Sequence, residues 1–113
     1  MMNNWPDTLS NLRKAAGRLA EKNHAVTSAY RGLNEAVSRG TALDDKTREL
    51  ISLAVAVTTR CDGCISSHSA AARKAGATEE EVAEALGTAI ALNAGAAYVY
   101  SARALEAFNQ FEG

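Results

Sequence analysis

The apolar positions of this 113-residue chain follow helical spacing, with no Val/Ile/Tyr-rich alternating run of the strand type, and Pro6 is the only proline. A first helix is predicted from about Asp7 to Glu21, beginning after Pro6. A second runs from about Ala25 to Ser38 with Tyr30, Leu33 and Val37 along one stripe, and Arg39-Gly40-Thr41 reads as its end, Gly40 being able to take positive φ. Asp44 reads as the N-cap of a third helix, with Asp45 in its positively polarised first turn. From Leu50 to Val57 that helix is apolar nearly all round, the pattern of a buried, central helix. Glu49, Ser52 and Ala56 form a strip of smaller residues on it, where a neighbouring helix can approach closely. After a junction at residues 60–62, a fourth helix is predicted from about Asp62 to Ala75, ended by Gly76. Thr78-Glu79-Glu80-Glu81 is a capping box that opens a fifth. Asn93-Ala94-Gly95 is read as a break, with a sixth helix from about Ala96 to Phe111. The expectation is an all-α domain of about six helices spanning residues 1–113, with 1–22 as an N-terminal helical extension.

The many alanines of the last four helices imply close helix packing rather than a bulky core, so a homo-oligomer that completes its core across an interface is expected. Apolar residues make up 47% and charged residues 22%, a globular balance rather than a disordered one. Lys+Arg is 12 against Asp+Glu 13, a net charge of −1 that offers no electrostatic footprint for nucleic acid or an anionic membrane. No apolar run is read as approaching the roughly 18–20 residues of a membrane span. No signal peptide is visible in Met1–Asp7, so a cytoplasmic location is the default. There a C-x2-C pair points to catalysis, redox chemistry or metal binding rather than a structural staple.

Candidate chemistry converges on one spacing, E-x11-C-x2-C-x3-H: Glu49, Cys61, Cys64 and His68, which includes both cysteines and one of the two histidines. Cysteine reactivity follows the thiolate, and a helix N-terminus, where Cys61 and Cys64 are predicted to lie, favours that anion. Residues three apart on a helix have Cβ atoms about 5–6 Å apart, slightly wider than a disulfide, and Gly63 makes the backbone easier to bend. His68 shares a helical face with Cys64 and can take its proton, while Glu49 can orient the imidazole. The register is the difficulty. At about 1.5 Å per residue, Glu49 lies ~18 Å before Cys61 and His68 ~10 Å beyond it, so a longer turn, a crossing angle or a water must bring them together.

Other readings of these residues stand beside that one. The cysteines can be an inert buried pair, or C-x2-C-x3-H can ligate zinc if His24, Glu49 or another chain supplies a fourth ligand. A c-type haem motif is absent because Ile65 follows Cys64. Glu49 alone reads as a solvated residue paired with a nearby Arg, and His24 as an exposed residue at a helix break. Ser66, Ser67 and Ser69 read equally as substrate hydrogen-bonding groups or as a solvated face. Tyr98 and Tyr100 read as core or interface, and Trp5 as an anchor of the first helix.

From about Ala25 to its C-terminus the chain resembles the carboxymuconolactone decarboxylase superfamily, in its AhpD-like alkylhydroperoxidase branch. The resemblance rests on the four-residue spacing, on Leu43–Ile51 (Leu-Asp-Asp-Lys-Thr-Arg-Glu-Leu-Ile) and on Ala75–Val82 (Ala-Gly-Ala-Thr-Glu-Glu-Glu-Val). It implies an all-α AhpD-like fold assembled as trimers or hexamers. It also implies a dithiol, with no bound cofactor, that reduces hydroperoxides or passes electrons between a peroxidase and a donor of the lipoamide or thioredoxin type. By resemblance Cys64 attacks peroxide, Cys61 resolves the sulfenic acid, His68 shuttles protons and Glu49 is its partner. The alkylhydroperoxidase itself carries a histidine between the cysteines where this chain has Gly63. Members that decarboxylate the lactone generally lack the dithiol. A non-enzymatic, redox-responsive oligomeric module is the alternative.

Overall fold

The structure, a computed structural model, describes residues 3–111 and is all helical over that span. Among the described residues there are five helices: α1 (Trp5–Lys22), α2 (His24–Ser38), α3 (Asp45–Thr59), α4 (Asp62–Lys74) and α5 (Glu79–Gln110). Side chains close most of the helix starts. Asn4 and Asn23 cap α1 and α2, Asp44 accepts from the Thr47 amide at 2.8 Å, and Thr78 and Glu81 form the reciprocal box that opens α5. A cap of this kind contributes about 1 kcal/mol. Helix α1 begins at Trp5 and includes Pro6, because proline is tolerated in a first turn whose N–H groups lack intrahelical partners.

Two left-handed residues reverse the chain. Arg60 (φ 55°) ends α3, and the Cys61 amide bonds back to the Ala56 carbonyl at 3.1 Å. Gly76 (φ 86°) ends α4, with the Ala77 amide on the Ala72 carbonyl at 3.0 Å. Both closures are of the Schellman type. Gly40, although able to take a positive φ, does not do so here. Its carbonyl instead accepts from Arg48 Nη2 at 2.7 Å, and a Cβ there would meet that guanidinium at 3.4 Å.

Helix α3 packs on both α4 and α5, whereas α1 packs on α4 and α2. The buried apolar residues are few and mostly small: Leu53, Ala56, Ala72 and Ala89. Alanines at these contacts let the helices approach closely, as their abundance implies. The expectation that α3 is buried all round does not hold within one chain. Leu53 and Ala56 are covered, but Ile51 and Val55 stand half exposed, because α4 and α5 leave its remaining face open.

The predicted break at residues 93–95 is also absent, and α5 runs unbroken for 32 residues. The Asn93 amide donates to the Ala89 carbonyl at 2.7 Å and to Thr58 Oγ1 on α3 at 2.9 Å, so it supports the helix instead of ending it. No proline follows it, and Gly95 alone is a modest penalty in a helix. Past Asn93 the helix projects from the rest of the chain, with Tyr98 83% and Phe108 75% exposed. The radius of gyration is 18.5 Å, against roughly 13 Å for a compact chain of this length. By length and composition α5 is also apolar enough to cross a membrane, its best 18-residue window having a mean hydropathy of 1.3. That corrects the reading that no run approaches a span. The value comes largely from alanines between scattered polar residues, which obscure it when the sequence is scanned for bulky apolar runs.

An exposed ion pair ties α3 to α5: Lys46 Nζ lies 2.8 Å from Glu81 Oε2. The Lys46 hydrogen bond holds Glu81 below its ordinary 4.5, and Glu81 in turn raises Lys46 above 10.5. The Thr47 hydrogen bonds hold Asp44 below 3.8. The carboxylate contributions are complete above those ordinary values and are lost as pH falls through the lowered ones. The Lys46 contribution is complete below 10.5 and is lost as pH rises through the raised value. Thermal melts followed by circular dichroism should therefore show a plateau between these limits and an acid limb that begins only as pH falls below the ordinary carboxylate values. That limb should be shallower in Glu81→Gln; an unchanged acid limb would remove the pair from the stability of the fold.

Candidate active site

The reversal at Arg60 delivers Cys61 as the N-cap of α4, with Cys64 in the first turn. The Cys61 sulfur accepts from the Cys64 amide at 3.1 Å, and the two cysteines are joined as a disulfide with Cα atoms 5.2 Å apart. Thus the first turn of α4 holds the pair at bonding distance, and its free N–H groups lie where a thiolate is stabilised when the bond is reduced.

Glu49 and His68 meet directly, with Oε2 2.6 Å from Nδ1. The expected gap in register is closed by direct contact where α3 packs on α4, and no intervening water is required. Glu49 is mostly covered and His68 about a third exposed, at 20% and 36%. A carboxylate only accepts, so Nδ1 carries the proton in the neutral ring and Nε2 keeps the lone pair. Glu49 thereby sets both the orientation of the imidazole and the nitrogen that keeps a free lone pair.

Cys61, Cys64, His68 and Glu49 all line one cavity of about 670 Å³, open to solvent and mostly apolar. From α2 come Tyr30, Asn34, Val37 and Ser38, one face of that helix, and α1 contributes Leu12. The Tyr30–Val37 stripe had marked this face as apolar, but nothing in the spacing tied it to the dithiol. Arg48 also lines the cavity, yet it does not pair with Glu49, since adjacent residues on a helix point about 100° apart. It bonds to Asp45 Oδ1 (2.9 Å) and to the Gly40 (2.7 Å) and Leu43 (3.0 Å) carbonyls, pinning the α2–α3 loop beside the site.

The serines separate by role. Ser66 is buried and donates to the Gly63 carbonyl at 2.9 Å, Ser67 faces the cavity, and Ser69 lines a separate groove. His24 is exposed at the start of α2. Tyr100, exposed, lies under Arg103 at 4.9 Å. Among the described residues no three His, Cys, Asp or Glu side chains are arranged to hold a metal ion.

A helical domain that presents a vicinal cysteine pair at a helix N-terminus, with a carboxylate-oriented histidine on the same helix, defines a dithiol-bearing class of protein. The chain belongs to the carboxymuconolactone decarboxylase family, whose sequence profile matches residues 24–107. It is 56% identical over 109 residues to an uncharacterized protein of Haemophilus influenzae, covering 96% of each chain. Its fold is similar to the apo crystal structure of a carboxymuconolactone decarboxylase family protein from Legionella pneumophila, with TM-score 0.75 and 34% identity over 96% of this chain and 97% of that one. A crystal structure of a protein from Methanobacterium thermoautotrophicum is similar at TM-score 0.70 and 34% identity, over 75% of this chain and 96% of that one.

Replacing Glu49 by Gln removes the obligate acceptor, because an amide offers the ring a donor as well. Two-bond ¹H–¹⁵N spectra of His68 should show the Nδ1–H tautomer in the parent neutral ring and a mixture in Glu49→Gln. The same single tautomer in both would deny Glu49 this role.

Proposed function

We propose that this chain is a thiol-dependent hydroperoxide reductase that uses Cys61 and Cys64 as its redox group. The observation that carries the reading is the Glu49–His68 pair at 2.6 Å, lining the same cavity as the two cysteines. His68 lies four residues beyond Cys64 on α4, one helical turn away on the same face. With Nε2 as base it withdraws the Cys64 proton, and the thiolate attacks the terminal peroxide oxygen. The S–O bond forms as the O–O bond breaks, sulfur loses two electrons, and the leaving alkoxide takes the proton back from His68 and departs as the alcohol. The Cys61 thiol then gives up its proton and attacks the Cys64 sulfur, the S–O bond breaks as the S–S bond forms, and the expelled hydroxide takes that proton and leaves as water. A dithiol or a thioredoxin-like protein returns two electrons and two protons by exchange. Re-reduction of this kind belongs in the cytoplasm, which is part of the proposal.

The reading includes a homo-oligomer, a trimer or hexamer, in which copies cover one another's apolar faces. Support comes from the extended shape and from Ile51, Val55, Ile90 and Leu92, which stand exposed on the adjoining helices α3 and α5. An assembly that buries this face gives α5 a role within a protein interface rather than a bilayer.

Two measurements test the reading. Pre-reduced protein mixed with cumene hydroperoxide should lose two thiols per chain at least about 10²-fold faster than free cysteine. Cys64→Ser should abolish that burst, and Cys61→Ser should leave a dimedone-reactive sulfenic acid. Thiol loss no faster than in free cysteine would refute the function. Light scattering in detergent-free buffer should give three or six chain masses; a monomer, or a protein soluble only in detergent, would overturn the assembly.

A further inference from the structure

Helix α1 lies outside the family match at residues 24–107, yet it reaches the dithiol through one side chain. A Cβ placed on Gly63 would lie 2.9 Å from Leu12 Cδ2, 3.5 Å from Cδ1 and 3.8 Å from Cγ. The leucine branch therefore lies flat over the residue between the two cysteines, in space that any side chain at position 63 would take. Core packing does not account for this leucine. It is 41% exposed, and α1 has no buried residue. It lines the cavity with Tyr30 and Val37, facing Cys61, Cys64 and His68.

We propose that Leu12 is a specificity-determining residue of the dithiol site, forming with Tyr30 and Val37 an apolar lip that favours reactants carrying an apolar arm. For hydroperoxides this rests on the function proposed above, whereas for reducing dithiols it does not. In the latter exchange the reactant's two S–H groups become its disulfide, while the Cys61–Cys64 bond is reduced to two thiols, so two electrons and two protons move. A small polar reactant gains nothing from the lip. An apolar arm gains the contact with Leu12, and a missing methylene in an apolar pocket changes discrimination by about tenfold or more, a partly exposed wall lying at the low end.

Two rate ratios read this: cumene hydroperoxide over hydrogen peroxide on the reduced protein, and dihydrolipoamide over dithiothreitol on the oxidised protein. Leu12→Ala should lower both ratios about tenfold. Gly63→Ala, which displaces an intact Leu12, should lower them in the same direction and add nothing in the Leu12→Ala background. Leu19→Ala, on the same helix but away from the cavity, should leave them at the parent value. Unchanged ratios in Leu12→Ala, or an equal slowing of every reactant, would overturn the assignment. A parent that consumes neither hydroperoxide would end the proposed function, and the dithiol ratio would still judge Leu12.

Discussion

The left-handed turn at Arg60 is the constraint on which the rest of the site depends. A non-glycine residue in that region carries a penalty of about 1–2 kcal/mol, offset here by the return of the Cys61 amide to the Ala56 carbonyl. The turn folds α4 back against α3 and makes Cys61 an N-cap. It thereby places the cysteine pair at the helix end that favours thiolates, and lets His68 cross α3 opposite Glu49. A straighter junction would keep every residue of the motif and lose the hydrogen bond between its two ends.

Around that turn the chain is organised to hold two helices close rather than to build a large interior. Ala56 and Ala72 give α3 and α4 short side chains where they are covered, and the buried Ser66 spends its hydroxyl on the Gly63 carbonyl within α4. Arg48 fastens the incoming loop to α3 beside the site. These local bonds position the site with little core, while the outer faces of α3 and α5 keep apolar residues uncovered. Placement of the chemistry is thus a property of one chain, in which the remaining apolar surface stays uncovered.

The sites where pattern reading succeeded and failed have physical causes. The Thr78–Glu81 box, the Asp44 cap and the Gly76 stop were legible because caps are local: their partners lie within a few residues. Asn93 was misread for the opposite reason. Its preference for ending helices was countered by Thr58, 35 positions away, which no local window contains. The all-round apolar run of α3 correctly marked a surface that avoids water, but not what covers each face. Arg48, Tyr30 and Leu12 carried no signal toward the site, because their approach depends on how α1, α2 and the loop before α3 are packed.

The sequence by itself determined the helical class, the helix starts and the four residues of the dithiol motif, because helix periodicity, capping and C-x2-C spacing are all short-range. Only the tertiary structure decided that Glu49 touches His68, that Leu12 occupies the space above Gly63, and that α5 is a single projecting helix. Each of these depends on the crossing of helices, which arises from side chains far apart in the chain meeting at one contact.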